Sequence, residues 1–514
     1  MADKLDMKSM DIVTDVDGKF SLSGIPSSAK TLVIMYLGME TQEVAIKPVV
    51  TVEMEASSID LDEVVQVAYG TTKKSQFTGS AATLKAEKIA QRQVSSIANA
   101  LSGQMAGVQT ISSNGEPGAS ASIRIRGIGS MNASNAPLYV VDGMPYEGSI
   151  SALNPQDIES MTVLKDAASN ALYGARGANG VILITTKKGQ AGTKAKIDAD
   201  AKWGTNRRAI PNYDVLTSAN EYYETVYTAI DNALGGGADP AKVGAYVESF
   251  LAYPIYTLPE GEMLFGEGGK LNPNATLGAV YADDYYLTPD NWYDELFMNN
   301  NMRQEYNVRV SGATPQSSYF MSAGYLDDTG IIPQSGFKRF TTRMNADYQI
   351  NKKVKVGTSF NYTNSNSLSP RDQSGSSSGN LFYISNMIAP IYPLYVRDAA
   401  GNIMTDSHGF TMYDFGAGEY PGLGRPFMGN SNPASMIALD KYQTISDAIS
   451  GRGFLNWDIV DGLKATVNFG VDLTNQRTTN LYKQTVYIKS RSMNFWQQRT
   501  FIKQENFRMF WLLW

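Results

Sequence analysis

Two spacings of apolar residues divide this chain. Between Pro137 and Lys188 they come in short unbroken runs, Leu138 to Val141, Met161 to Leu164 and Val181 to Thr186, set among turn and cap residues. Beyond Gly192 they alternate with polar ones. Ala195, Ile197, Ala199, Ala201 and Trp203 face one way along an extended strand, and Lys196, Asp198, Asp200 and Lys202 face the other. The first pattern predicts a compact α/β unit, the second a series of strands with one apolar and one charged face.

In the α/β unit, Asp142 and Gly143 close the first strand in a tight turn. Asn154 offers an N-cap oxygen, Pro155 suits the first helical position, and Asp157 and Glu159 suit the positive end of the helix dipole, which predicts one or two helical turns. Ala167 to Tyr173 reads as a short helix stopped by Gly174. GARGANG, from Gly174 through Gly177 to Gly180, reads as a glycine-paved loop around Arg176. The sum is a small mixed sheet carrying helices.

Alternation recurs at Glu305 to Val310, Tyr319 to Tyr325, Phe340 to Tyr348, Val354 to Tyr362 and Leu463 to Leu473, and NFRMFWLLW reads as one more strand. Short turns stand at Thr314 to Ser317, Asn351 to Lys353 and Asp461 to Gly462. Long polar excursions run from Thr205 to Asn301, with local helices around Glu221 to Leu234, and from Asn364 to Thr444. Short turns on one side and long loops on the other are the layout of an outer-membrane barrel. A soluble sandwich has no need of connections so much longer than usual. Trp203, Tyr325, Phe340, Tyr348, Phe360 and Tyr362, at strand ends, suit an interfacial aromatic girdle, although a sandwich core would use the same residues.

Residues 11–55 read as a small β domain with strands at Lys19 to Leu22, Thr31 to Tyr36, Thr41 to Ile46 and Val49 to Met54. Asp15, Asp17 and Gly18 could begin a calcium loop, but Pro26 stands where its last carboxylate is needed, so a hairpin turn is the better reading. Within SSIDLDEVVQVAYGTTKKS, Val64 to Tyr69 is either an internal strand or an exposed segment that adds to a partner's sheet edge; periodicity leaves both open. Val94, Ile97, Ala98, Leu101 and Met105 are at helical spacing, which core packing explains. The GIGS after Arg126 is no phosphate loop, because MNASNAP cannot open a helix.

Composition excludes more than it selects. With 44 basic against 50 acidic residues, no basic field attracts nucleic acid. The chain has no cysteine and a single histidine, His408, which removes disulfides, thiolate metal ligands and most histidine chemistry. Asp142, Asp157, Glu159 and Asp166 each have a turn or helix-start role and no partnering histidine or nucleophile, so no catalytic residue, metal or cofactor is expected. No apolar run is long enough for a transmembrane helix, which leaves a β-barrel open. The opening MADKLDMKSM lacks the apolar core of a signal peptide.

Taken in order, the motifs resemble the SusC/RagA-type TonB-dependent outer-membrane transporters of Bacteroidota. DVDGKFSLSGIP and YLGMETQEV resemble that family's carboxypeptidase-regulatory-like β domain, and LDEVVQVAYGTTKKSQFTGS its TonB-box region. SIRIRG, PLYVVDGMP and LNPQDIESMTVLKDAASNALYGARGANGVILITTKKG resemble its plug, and SAGYLDDTGIIPQSGFKRFTTRMNADYQINKKVKVG its early barrel strands. The resemblance implies a mainly β fold with an α/β plug, in four parts. Residues 1–56 are a partial regulatory-like β-sandwich, 57–78 the TonB box and linker, 79–192 the plug, and 193–514 the first part of a transmembrane antiparallel β-barrel with long loops.

It further implies outer-membrane import of a large nutrient, oligosaccharide before peptide, powered through TonB with ExbB and ExbD and covered by a SusD-like surface lipoprotein. The plug and the N-terminal domain would lie on the periplasmic side. Asp62, Glu63, Val64, Val65, Gln66 and Val67 become TonB contacts; Gln66 and Ala68 depart from the commoner VVVVGYG, which backbone pairing tolerates. Asp142, Gly143, Asn154, Pro155, Asp157, Gly174, Arg176, Gly177 and Gly180 become shape-holding plug residues. Ser130, Asn132, Asn135 and Tyr146, on outward plug loops, become candidate substrate contacts. The same fold also serves siderophore or cobalamin uptake, and a β domain with a plug could signal without transporting. A plugged barrel of this class closes with about 22 strands, and roughly eight are legible here, so the resemblance also implies a piece of a longer transporter.

Overall fold

The computed structural model describes residues 20–22, 31–34, 42–52, 64–67, 70–73, 81–112, 115–129, 131–132, 134–165, 171–189, 195–209, 211, 213–370, 380–483 and 497–513. The chain divides into two units, residues 1–65 with 70–78 and residues 66–69 with 79–514.

In the first unit, Thr31–Ile34 pairs antiparallel with Gln42–Ala45, Thr31 opposite Ala45. The other two expected strands do not form in their described parts. Residues 20–22 and 49–52 are irregular, and Val49 is 84% exposed. Val64–Val67 and Gly70–Lys73 are strands of a separate two-stranded sheet. The turn at Asp15 to Gly18, Asp62 and Glu63 fall outside the described residues.

The α/β expectation holds for the plug. Its five-stranded sheet runs in the order Ala81–Lys85, Ile158–Leu164, Val181–Thr186, Leu138–Val141, Met144–Tyr146, with one parallel pair between Val181–Thr186 and Leu138–Val141. Asp142 (φ 49°) and Gly143 (φ 84°) make the two-residue turn between the last two strands. Two left-handed residues in succession match the twist of a hairpin, and Asp and Gly tolerate them best. The core joins this sheet to Ile97, Leu101 and Met105, with Met161, Val163 and Ile182 fully buried.

Two local readings are corrected and a third is kept. The apolar spacing over 94–109 does mark a buried face, but only Ile97–Ala100 is α-helical, because the chain turns left-handed at Gly103 and Gly107. Asn154 caps a single turn as expected, but Pro155–Asp157 is 3-10 with the strand Ile158–Leu164 following directly, and Asp157 is buried at 1% exposure. Residues 166–170 are outside the described set; in Ala171–Gly177 two 3-10 turns are parted at Gly174 (φ 58°, ψ −147°), so the first of them ends at the expected glycine.

Eight strands form one antiparallel meander: Lys196–Gly204, Arg303–Ala313, Ser317–Thr329, Gly336–Asn351, Val354–Leu368, Lys441–Val460, Leu463–Lys483 and Gln497–Leu513. The sixth, Lys441–Val460, was not singled out by alternation. Short turns at residues 314–316, 352–353 and 461–462 lie at one end of the strands, and the described parts of the connections 205–302, 330–335 and 380–440 lie at the other. No helix among the described residues is long and apolar enough to cross a membrane.

The two longest connections, read above as polar excursions, have a core of their own. Ala219–Ala233 starts at the Ser218 cap and Pro240–Leu251 at the Asp239 cap, and their Tyr223, Tyr227, Val243, Val247 and Leu251 pack with Ile391 and Tyr392 from the later connection. A second cluster gathers Trp292, Leu296, Ile384 and Leu394. The i, i+4 spacing of Val243, Val247 and Leu251 was the available signal.

Candidate functional site

The site is the face where the plug meets the meander. In Gly336–Asn351 the pleat buries Arg339, Thr341, Arg343, Asn345 and Asp347 and leaves Phe340, Met344 and Tyr348 at 42%, 40% and 51% exposure. Register extends both faces across neighbouring strands. Tyr306, Tyr325 and Phe340 lie side by side on the exposed face, as do Met344 and Phe360. Asn307, Gly324 and Thr341 line up on the buried one. A sheet that buries its polar side and exposes its apolar side is reversed relative to a water-soluble protein, and fits lipid outside with a polar filling inside.

The plug satisfies that polar face with its own backbone. One nitrogen, Nη1 of Arg339, donates to the carbonyls of Ser95 (2.7 Å), Ser151 (2.9 Å) and, more distantly, Leu153 (3.4 Å). Asn345 donates to Thr186 Oγ1 at 3.0 Å and to the Lys187 carbonyl at 2.7 Å, and Thr363 donates to the Ala152 carbonyl at 2.7 Å. Lys188 pairs with Asp347 at 3.3 Å. Bonds of this kind leave few buried carbonyls unpaired where the two surfaces meet.

The sequence-selected plug residues sit in and around this contact. Asn154 accepts from the Gln156 N–H while its amide donates to Asn307 (3.0 Å) and Thr341 (3.2 Å) in the wall. A Cβ at Gly324 would meet that Asn154 amide, so the wall is bare there by necessity. Asp142 accepts from the Thr186 N–H and hydroxyl, closing its own turn, and stands 3.6 Å from Arg343. Asp157 is held less well: Arg343 Nε is 3.9 Å away, and the Ser322 hydroxyl is the one side-chain donor that acts on it. Burial pushes its carboxyl above the usual carboxylate range, against the pull of Arg343, the Ser322 hydroxyl, Lys187 and Arg309. Gly177 is buried, Gly180 (φ 90°) packs on Ile125, and exposed Arg176 pairs with Glu147.

Of the candidate substrate contacts, Ser130 lies outside the described residues, Asn132 is exposed, and Asn135 accepts from the Gly129 N–H within its own loop. Tyr146 is buried, donates to the Ser149 carbonyl and lies beneath the Arg452 guanidinium, so it belongs to the plug–wall contact. Sequence reading missed the wall's half of the site, Asn307, Arg339, Thr341, Arg343, Asn345 and Thr363. Their alternation with apolar residues was visible, but which plug group each one meets was not.

Residues 73–181 match the model of the TonB-dependent receptor plug domain. The TonB-dependent receptor SusC of Bacteroides thetaiotaomicron is 33% identical over 341 residues, which cover 65% of this chain and 29% of SusC. This chain belongs with the SusC-type TonB-dependent receptors. TonB-dependent receptor P26 of Formosa agariphila is 29% identical over 487 residues, 94% of this chain and 41% of P26. The receptor chain therefore spans well under half the length of these relatives. Among solved structures, the RagAB peptide importer in its open-open state superposes with a TM-score of 0.61 at 28% identity, covering 83% of this receptor and 44% of that chain. The mainly β architecture with an α/β plug agrees with this placement.

Proposed function

We propose that this receptor takes part in TonB-dependent import of a large nutrient, an oligosaccharide or a peptide, across the outer membrane, beneath a SusD-like surface lipoprotein. The observation that carries the reading is the reversed sheet laid over a hydrogen-bonded plug: an apolar face for lipid and a polar face holding a stopper with its own apolar core. In this reading the plug and the N-terminal unit face the periplasm, and Asp62 to Val67 is the segment that TonB grips. Among the described residues Val64–Val67 lies in a two-stranded sheet, which a partner strand could extend through main-chain hydrogen bonds. Asp142, Gly143, Asn154, Pro155, Asp157, Gly174, Arg176, Gly177 and Gly180 hold the stopper's shape. The likeness to SusC and to a peptide importer favours polymer cargo over a siderophore or cobalamin.

The test is Val65→Pro in the full-length receptor, which removes a strand N–H and blocks pairing. Uptake is expected to be lost while cargo still binds at the cell surface. Undiminished uptake overturns the reading, and loss of gene induction with intact uptake would favour signalling.

A further inference from the structure

The polar face of the meander changes character from strand to strand. At its long-connection end the second to fourth strands carry Arg303, Glu305, Asp328 and Arg339, all buried. The fifth to seventh strands, Val354–Leu368, Lys441–Val460 and Leu463–Lys483, meet the plug at Thr363, which donates to the Ala152 carbonyl, and at Arg452, which lies over Tyr146. Toward the long-connection end these strands then set Ser365, Ser446 and Gln476 side by side, followed by Ser367, Thr444 and Thr478. Steps of two from buried Thr363, Ala448 and Asp472 keep all six on the polar face, and all six are half-buried. The patch spans about 10 Å across the strands and about 7 Å along them.

None of the six is charged, and the charges that flank them on this face are engaged. Arg452 pairs with Asp472 at 3.2 Å, and Arg339, opposite Ser365, donates to the Ser95 and Ser151 carbonyls. Asp447 points to the other face, where it accepts from Tyr362 and Asn364. What remains is five hydroxyls and the Gln476 amide. A hydroxyl both donates and accepts and turns to suit its partner. The Thr444 and Thr478 hydroxyls stand 3.2 Å apart, and whichever donates, the other keeps its proton for a ligand.

We propose that this patch is a track for an uncharged, hydroxyl-bearing chain, a neutral oligosaccharide, on its way past the plug. The proposal rests on the import reading above and selects between its two classes of cargo. A sugar hydroxyl pairs with a Ser or Thr hydroxyl in either polarity, so successive units of a glycan find partners without a fixed register. Such bonds replace bonds to water at little net gain, which suits a chain that must move on. A peptide segment with Lys, Arg, Asp or Glu side chains meets no counter-charge here and gives up hydration for each.

The 514 residues contain no cysteine, so one introduced thiol reports the patch. Ser446→Cys exchanges only oxygen for sulfur, and Thr478→Cys is the second position if that variant misfolds. The full-length receptor is used, with any cysteine outside these 514 residues changed to serine. Rates of modification by positively and negatively charged methanethiosulfonates, each divided by its rate with free cysteine, are expected to agree within about twofold. A bias of about tenfold either way, the scale of one unscreened charge at close range, overturns the proposal. Neutral gluco-, manno- and xylo-oligosaccharides at millimolar concentration are then compared with short peptides, neutral, lysine-rich and glutamate-rich. At least one of the sugars should slow modification severalfold while the peptides leave the rate unchanged. Protection by peptides in place of sugars, or by none of the sugars, overturns the proposal. The reagent rates do not depend on TonB. Undiminished uptake in Val65→Pro with sugar protection intact removes the import reading alone, and lost uptake in Val65→Pro without sugar protection removes the track alone.

Discussion

Met161 and Met344 carry the same side chain and meet opposite surroundings. Met161, in the plug, is fully buried among Leu84, Val163 and Ile184, as in any water-soluble core. Met344, in the barrel wall, is 40% exposed beside Met321 and Phe360, and its neighbour Arg343 is the buried one at 3%. The pleat is the same in both sheets; the solvent on the far side is not. In the plug, apolar burial drives folding. In the wall it cannot, since lipid is as apolar as methionine, and what orders the inner face is the hydrogen bonding of Arg339, Asn345 and Thr363 to the plug.

Met344→Arg tests that difference most severely. On a water-exposed surface such a change usually alters stability by less than about 0.5 kcal/mol. At a lipid-facing position near the bilayer centre it costs about 2 to 4 kcal/mol. Folding into phospholipid vesicles, followed by denaturant titration, is expected to show the larger cost, and a neutral result would break the reversed-sheet description.

On the inner face of the same strand, Arg339→Met is expected to cost about 1 to 3 kcal/mol, because it strips the donor from the buried Ser95 and part-buried Ser151 carbonyls. Limited trypsin digestion should release the plug of this variant before the barrel is cut. Gly324→Ala comes next, at roughly 1 kcal/mol, the low end of overpacking costs. Its new methyl displaces the Asn154 amide and should speed hydrogen exchange at residues 154–157 without affecting residues 97–101.

The plug was legible because its rules are local. Leu138 to Val141, the Asp142 and Gly143 turn, the Asn154 cap and Val181 to Thr186 each follow from short-range sterics and hydrogen bonding, and all appear in the structure. The wall's strands were legible from alternation where it was clean, and Lys441–Val460 escaped because Ser, Gly and Asp blur its apolar face. The core of the long connections escaped for another reason: Tyr223, Val247 and Tyr392 come together across a gap of more than a hundred residues that no periodicity spans. The plug–wall pairs are the same kind of fact. Alternation says that Arg339 faces inward, and only the fold brings it to Ser151.

Asp157 stands where the two regimes touch, and its prediction is the smallest in amplitude and the most specific in sign. It belongs to the plug but is buried against the wall, with Arg343 at 3.9 Å and Lys187, Arg309 and Arg339 as the other charges around it. Burial raises its proton affinity in the folded state above that in the unfolded chain. The folded state therefore holds a proton over a range of pH in which the unfolded state has released it, and stability must fall as pH rises from the ordinary carboxylate value near 4. Hydrogen exchange at the amides of Ile158–Leu164, measured between pH 4 and 7 and corrected for intrinsic rates, should show that decline. Asp157→Asn, neutral throughout, should flatten it, while Asp347→Asn, whose carboxylate is paired with Lys188 and Lys355, should leave the slope at Ile158–Leu164 in place. A slope that persists in Asp157→Asn would mean that another group carries the titration and that Asp157 is better solvated than its place between plug and wall implies.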